Sequence, residues 1–114
     1  MIHELKFREE DADLFRAIAD KKKRIEVRAG GKAEYERIAK GDTIRFCFGK
    51  NIAVRKVADV IRVPTLDALL ERFTVGELAA TMETKEAYRD RVVHFPGYAE
   101  RIAEYGLIVL LLNE

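Results

Sequence analysis

The stretch Lys22-Lys23-Arg24-Ile25-Glu26-Val27-Arg28 concentrates the residue types that can hold an anion or move a proton. Held on a rigid strand, Lys22, Lys23, Arg24 and Arg28 would engage phosphate while Glu26 accepts a hydrogen bond from a base or sugar. With chemistry instead of binding, Lys23 and Glu26 would form an acid/base pair. Period-two alternation puts Ile25 and Val27 on one face and Arg24, Glu26 and Arg28 on the other. Lys23 has the wrong parity for the charged face, so joining it to Glu26 needs a twist or bulge where the strand begins. The same spacing also describes a solvated strand on which Glu26 pairs with a neighbouring cation and does nothing more.

The charge is local. The chain carries a net charge of only +1. Residues 8–20 place Arg8 and Arg16 against five carboxylates, whereas residues 21–28 hold Lys21, Lys22, Lys23, Arg24 and Arg28 against Glu26 alone. A cluster of this kind suits phosphate contacts, which neutral overall composition neither requires nor forbids.

Other reactive side chains are scattered. His3 and His94 lie far apart with no cysteine pattern beside them, so no metal site and no cofactor is expected. Cys47 alternates with Phe46 and Phe48 and reads as a small packed residue; a single cysteine excludes an internal disulfide and fits a reducing compartment. Tyr35, Tyr88, Tyr98 and Tyr105 offer rings on which a base could stack, or the amphipathic edges of a core. The glycines do not form a phosphate-cradling loop ahead of a Lys-Ser/Thr helix start. The longest apolar run, Leu107 to Leu112, is far short of a membrane span, and the charged N-terminus is unlike a signal peptide, so a cytoplasmic location without membrane contact is expected.

The elements that must position these residues can be read from periodicity. A strand over residues 2–7 precedes a helix over about residues 9–20, whose acidic first turn suits the positive end of a helix dipole. The basic strand covers residues 23–28. Gly41-Asp42 leads into Thr43–Phe48, and a hairpin returns along residues 52–63 to Pro64. Thr65 caps one helix and Thr74-Val75-Gly76-Glu77 forms a capping box for another, with Phe73 and Leu78 as the hydrophobic staple. Helices over residues 85–93 and 97–104 precede Leu107–Leu112, a strand apolar enough to be buried on both faces. With 114 residues and 48% hydrophobic composition, the chain predicts one α+β domain spanning residues 1–114, with a small mixed or antiparallel sheet of about five strands curling toward a barrel. Oligomeric state is not legible.

Two segments together resemble a known family. Lys23-Arg24-Ile25-Glu26-Val27-Arg28, followed by Gly41-Asp42-Thr43-Ile44-Arg45-Phe46, is similar to the K-x-x-E-x-R and G-D-x-I-x-F patterns of ASCH domains, small relatives of the PUA RNA-binding domain. Thr65–Leu70, the Tyr88 and Phe95-Pro96-Gly97 region, and Tyr105-Gly106 at the start of the final strand follow in the family's order. The resemblance implies a PUA-like mixed β-barrel of five to six strands flanked by helices. It also implies a cleft bearing Lys23, Glu26 and Arg28, with RNA or a nucleotide-like molecule as ligand. Some small ASCH relatives are amidohydrolases of acylated cytidine that use a Lys, a Thr nucleophile and a Glu. Their Lys matches Lys23, but Glu26 stands in place of the Thr, and a carboxylate attacking an amide would give an anhydride rather than an ester. For the third member of that set, Glu71 and Glu77 both lie nearby in sequence.

Overall fold

A computed structural model describes residues 1–79 and 82–113. Five strands form a mixed sheet: β1 (Ile2–Lys6), β2 (Ile25–Ala29), β3 (Thr43–Phe48), β4 (Asn51–Val63) and β5 (Leu107–Leu112). Their spatial order is β1-β3-β4-β5-β2; β1 runs parallel to β3 and the other neighbours are antiparallel. The helices are α1 (Ala12–Ala19), preceded by a 3-10 turn at Glu9–Asp11, α2 (Ala33–Glu36), α3 (Leu66–Arg72), α4 (Val75–Leu78), α5 (Lys85–Val93) and α6 (Tyr98–Tyr105). No helix among the described residues is long and apolar enough to cross a membrane.

The long strand β4 curls the sheet. Residues 51–56 pair with β3, and from Val57 to Val63 the same strand pairs with β5 across a register shift between Val57 and Asp59. A bulge of this kind bends the strand and increases its twist. The sheet stops short of closure: β1 and β2 are its two edges, with no ladder between them among the described residues. The expected barrel is therefore an open one.

Helices cover both sides of the sheet, which explains the apolar continuity of β5. Ile108, Leu110 and Leu112 face the concave core with Leu5, Phe15, Ile18, Ile44, Phe46 and Val57. Leu107 and Val109 face the other core with Leu69, Leu78, Val92 and Ile102. Gly106 turns the chain from α6 into β5 at φ 74°, and a Cβ there would lie 2.8 Å from the Val63 carbonyl oxygen. Only glycine fits both the torsion and the space.

The helix starts follow the sequence. Thr65 accepts a hydrogen bond from Ala68 N–H, and Thr74 and Glu77 exchange both bonds of a capping box. A third cap, Thr84 accepting from Ala87 N–H, starts α5.

Candidate functional site

Lys23 reaches the charged face of β2 because it is not part of that strand. Helix α1 closes with paired bonds from Lys21 N–H to Ile18 C=O (3.1 Å) and from Lys22 N–H to Ala17 C=O (2.9 Å), with Lys21 in the left-handed region at φ 61°. Lys23 N–H joins the same Ala17 carbonyl at 2.9 Å. Reaching across from β4, the buried Arg55 guanidinium donates to the carbonyls of Lys23 (3.3 Å), Ile18 (3.0 Å) and Asn113 (2.7 Å). The Lys23 peptide is thus pinned on both sides before pairing begins at Ile25, and strand alternation does not govern its side chain.

Three charged side chains then meet on the concave side. Lys23 Nζ donates to Glu26 Oε1 at 2.8 Å, while Arg28 Nη2 and Nε donate to Glu26 Oε2 at 2.8 and 3.1 Å. Arg28 Nη1 donates to the Tyr35 hydroxyl at 3.3 Å and reaches the Lys6 carbonyl at 3.5 Å, spanning the seam between the two sheet edges. Its guanidinium also lies over the Phe7 and Tyr35 rings, 5.0 and 5.4 Å from their centroids. Lys23, Glu26 and Arg28 are only 3%, 3% and 7% exposed, so their charges must compensate one another. Burial alone would raise the Glu26 pKa, but attraction and hydrogen bonding from Lys23 and Arg28 prevail and hold it below the usual carboxylate range. Burial likewise opposes the charge on Arg28, and Glu26 more than restores it.

A cleft of about 220 Å³ opens beside this chain of charges. Phe7, Tyr35, Tyr88, Met82, Phe95 and Tyr98 supply apolar and aromatic wall. Among the described residues, Lys6, Arg8, Lys23, Arg28, Lys32, Arg91 and Arg101 line it against only two carboxylates, Asp11 and Glu26. Near the mouth, Arg91 is held by Asp11 (3.0 Å) and Asp13 (2.6 Å), and Arg8 by Asp11 (2.9 Å). Arg101 is turned inward by bonds to the Ala29 and Gly30 carbonyls (2.7 and 3.0 Å). Burial, with Glu26 adding to it, raises the Tyr88 hydroxyl pKa; burial leads again at Tyr98, pushed up to about 12. Both phenols therefore stay protonated at neutral pH.

The structure thus brings Lys23, Glu26 and Arg28 together in one cleft. Lys22 and Arg24 are exposed and do not line it: Lys22 belongs to the turn that ends α1, and Arg24 lies at the end of β2 near Arg55. Of the tyrosines, Tyr35, Tyr88 and Tyr98 line the cleft, whereas Tyr105 is exposed elsewhere. Glu71 and Glu77 are both exposed and outside it. His3 is buried against Asp42, His94 is exposed, and Cys47 is half-buried on β3. Sequence reasoning missed Phe7, Arg8, Arg91 and Arg101. An arginine on a charged helix looks like any solvated residue, and only the packing of α6 against β2 and of α5 against α6 reveals where Arg91 and Arg101 point.

No family model and no curated protein matches the sequence. Solved structures do match its fold. Over 99% of this chain it is similar to the hypothetical protein PH0355 (TM-score 0.79, 23% identity, 98% of that chain). It is also similar to protein PF0455 from Pyrococcus furiosus (TM-score 0.69, 21% identity, 99% of this chain and 96% of that one). A third neighbour is a point mutant of ZmASCH from Zymomonas mobilis (TM-score 0.64, 19% identity, 99% of this chain and 68% of that one). The chain has an ASCH fold. Within that ASCH fold, the open seam between β1 and β2 is where the buried charges and the cleft lie.

Proposed function

We propose that the cleft binds a nucleobase-bearing anion, either a nucleotide-like small molecule or a nucleotide of single-stranded RNA. The observation that carries this reading is the pairing of a strongly cationic lining with aromatic walls around the buried carboxylate of Glu26. Cations at the rim suit phosphate, the rings suit the face of a base, and Glu26 suits an amino or hydroxyl donor. Because Lys23 and Arg28 hold the Glu26 pKa low, its carboxylate stays ionised, able only to accept hydrogen bonds, and is a poor proton shuttle. That favours binding over acid/base catalysis.

A thermal-shift screen against nucleosides, nucleoside monophosphates and short single-stranded RNAs tests it. A ligand at a hundredfold excess over its Kd adds about 2.7 kcal/mol to folding stability, which is a rise of several degrees in Tm. The expected result is a rise with phosphorylated, base-bearing compounds that exceeds the rise with inorganic phosphate. No rise, or an equal rise with phosphate alone, would overturn the reading.

A further inference from the structure

Beyond its side chains, the cleft contains an open piece of strand edge. Leu112 N–H donates to the Arg24 carbonyl at 2.7 Å and Gly30 N–H to the Gly106 carbonyl at 2.9 Å, one bond at each end of β2. The register between them runs without a shift from Ile25↔Leu111 to Ala29↔Leu107. In an antiparallel ladder the residues that bond to the partner alternate with residues whose peptide groups point away. Residues 24, 26, 28 and 30 therefore face β5, and Ile25, Val27 and Ala29 turn both N–H and C=O outward.

The outward groups of Ala29 are covered: its N–H faces the Tyr98 hydroxyl, and its carbonyl accepts from Arg101 Nη2 at 2.7 Å. Ile25 does not line the cleft. Val27 does, and so do Glu26 and Arg28 from the opposite face of the same strand, which means that the cleft runs along the β2 edge itself. Among the described residues, no hydrogen bond occupies the outward N–H and C=O of Val27.

Resting on the proposed function, we infer that the Val27 peptide reads the edge of the bound base, its N–H donating to a ring acceptor and its carbonyl accepting from the adjacent donor. The ligand class is accordingly a planar heterocycle with a hydrogen-bond acceptor beside a donor, as on the pairing edge of a nucleobase. A single open peptide flanked by the Tyr98–Arg101 plug is too short to add a peptide strand, which needs several alternate residues in register. The buried Glu26 and Arg28 stand on one side of that edge and the Val27 side chain on the other, so a base meeting it lies in the plane of the sheet.

The test is amide NMR with the four nucleoside 5′-monophosphates as probes. In the wild type, the expected result is a downfield shift and slowed exchange of the Val27 N–H, alongside shifts at Glu26 and Arg28. Val27→Pro removes that N–H without touching the ladder to β5, a placement that edge strands accept. It is expected to weaken binding about tenfold, the value of one lost hydrogen bond with its partner left unpaired, while the spectrum stays dispersed. Should the variant misfold, the wild-type Val27 amide decides alone. Shifts at Glu26 and Arg28 with an unmoved Val27 amide, or unchanged affinity in a folded Val27→Pro protein, would overturn the inference and leave the proposed function standing. No shift at any cleft amide would overturn both.

Discussion

Two nitrogens of Arg28, Nε at 3.1 Å and Nη2 at 2.8 Å, converge on a single oxygen of Glu26 and leave the other oxygen to Lys23. Glu26 is thus the shared counter-ion of two buried cations. Replacing one member of such a group strands the others without compensation, at a cost of about 3–5 kcal/mol. Glu26→Gln is expected to destabilise the fold by that amount, measured as a fall in the urea midpoint. A loss below about 1 kcal/mol, the range of exposed ion pairs, would mean that the three charges are not buried together.

Acid sensitivity should arise partly at the N-terminus. The Asp42 carboxylate accepts from His3 Nε2 (2.7 Å), Ala39 N–H (3.0 Å) and the N-terminal ammonium (3.3 Å), and its pKa falls to about 2 from the ordinary 3.8. The unfolded chain takes up this proton more readily than the folded one, so the stabilisation is complete above about pH 4 and is lost as pH falls toward about 2. Glu26 acts in the same direction. Urea midpoints between pH 5 and pH 2 should drop steeply in the wild type and less steeply in Asp42→Asn. Parallel curves would remove Asp42 from the acid response.

Binding of a short single-stranded RNA should weaken with salt, but moderately. Lys23 and Arg28 are occupied by Glu26, leaving rim cations such as Lys6 and Lys32 for the backbone. Two or three phosphate contacts imply a slope of about −2 in log affinity against log salt. An anisotropy titration at several salt concentrations measures it, and a flat profile would take the rim out of the mechanism.

Acylated cytidine should not be turned over efficiently. A hydroxyl nucleophile is missing at residue 26, and the carboxylate there is locked between two cations rather than poised to activate water. Chromatography after incubation with acetylcytidine is expected to show no turnover approaching about 1 per second, the lower end of ordinary enzymes. Turnover at that rate would show that Glu26 does chemistry.

Much of the architecture was legible because local chemistry dictates it. The apolar run Leu107–Leu112 is a strand buried on both faces, and the Thr74–Glu77 pattern is a capping box. The candidate site was legible only in part. Parity set Lys23 against Glu26, and their meeting depends on a left-handed Lys21 and on Arg55, 32 residues away, gripping the Lys23 carbonyl. Neither leaves a trace in the spacing of residues 22–28. The role of the Val27 peptide is still less local, since it follows from β2 lying at the edge of the sheet.

The most direct measurement is a crystal structure of the protein soaked with a nucleoside 5′-monophosphate. The account predicts density for the base against Glu26 and the β2 edge, with the phosphate toward Lys6 and Lys32 at the mouth. An empty cleft at saturating ligand, or density elsewhere on the surface, would contradict it.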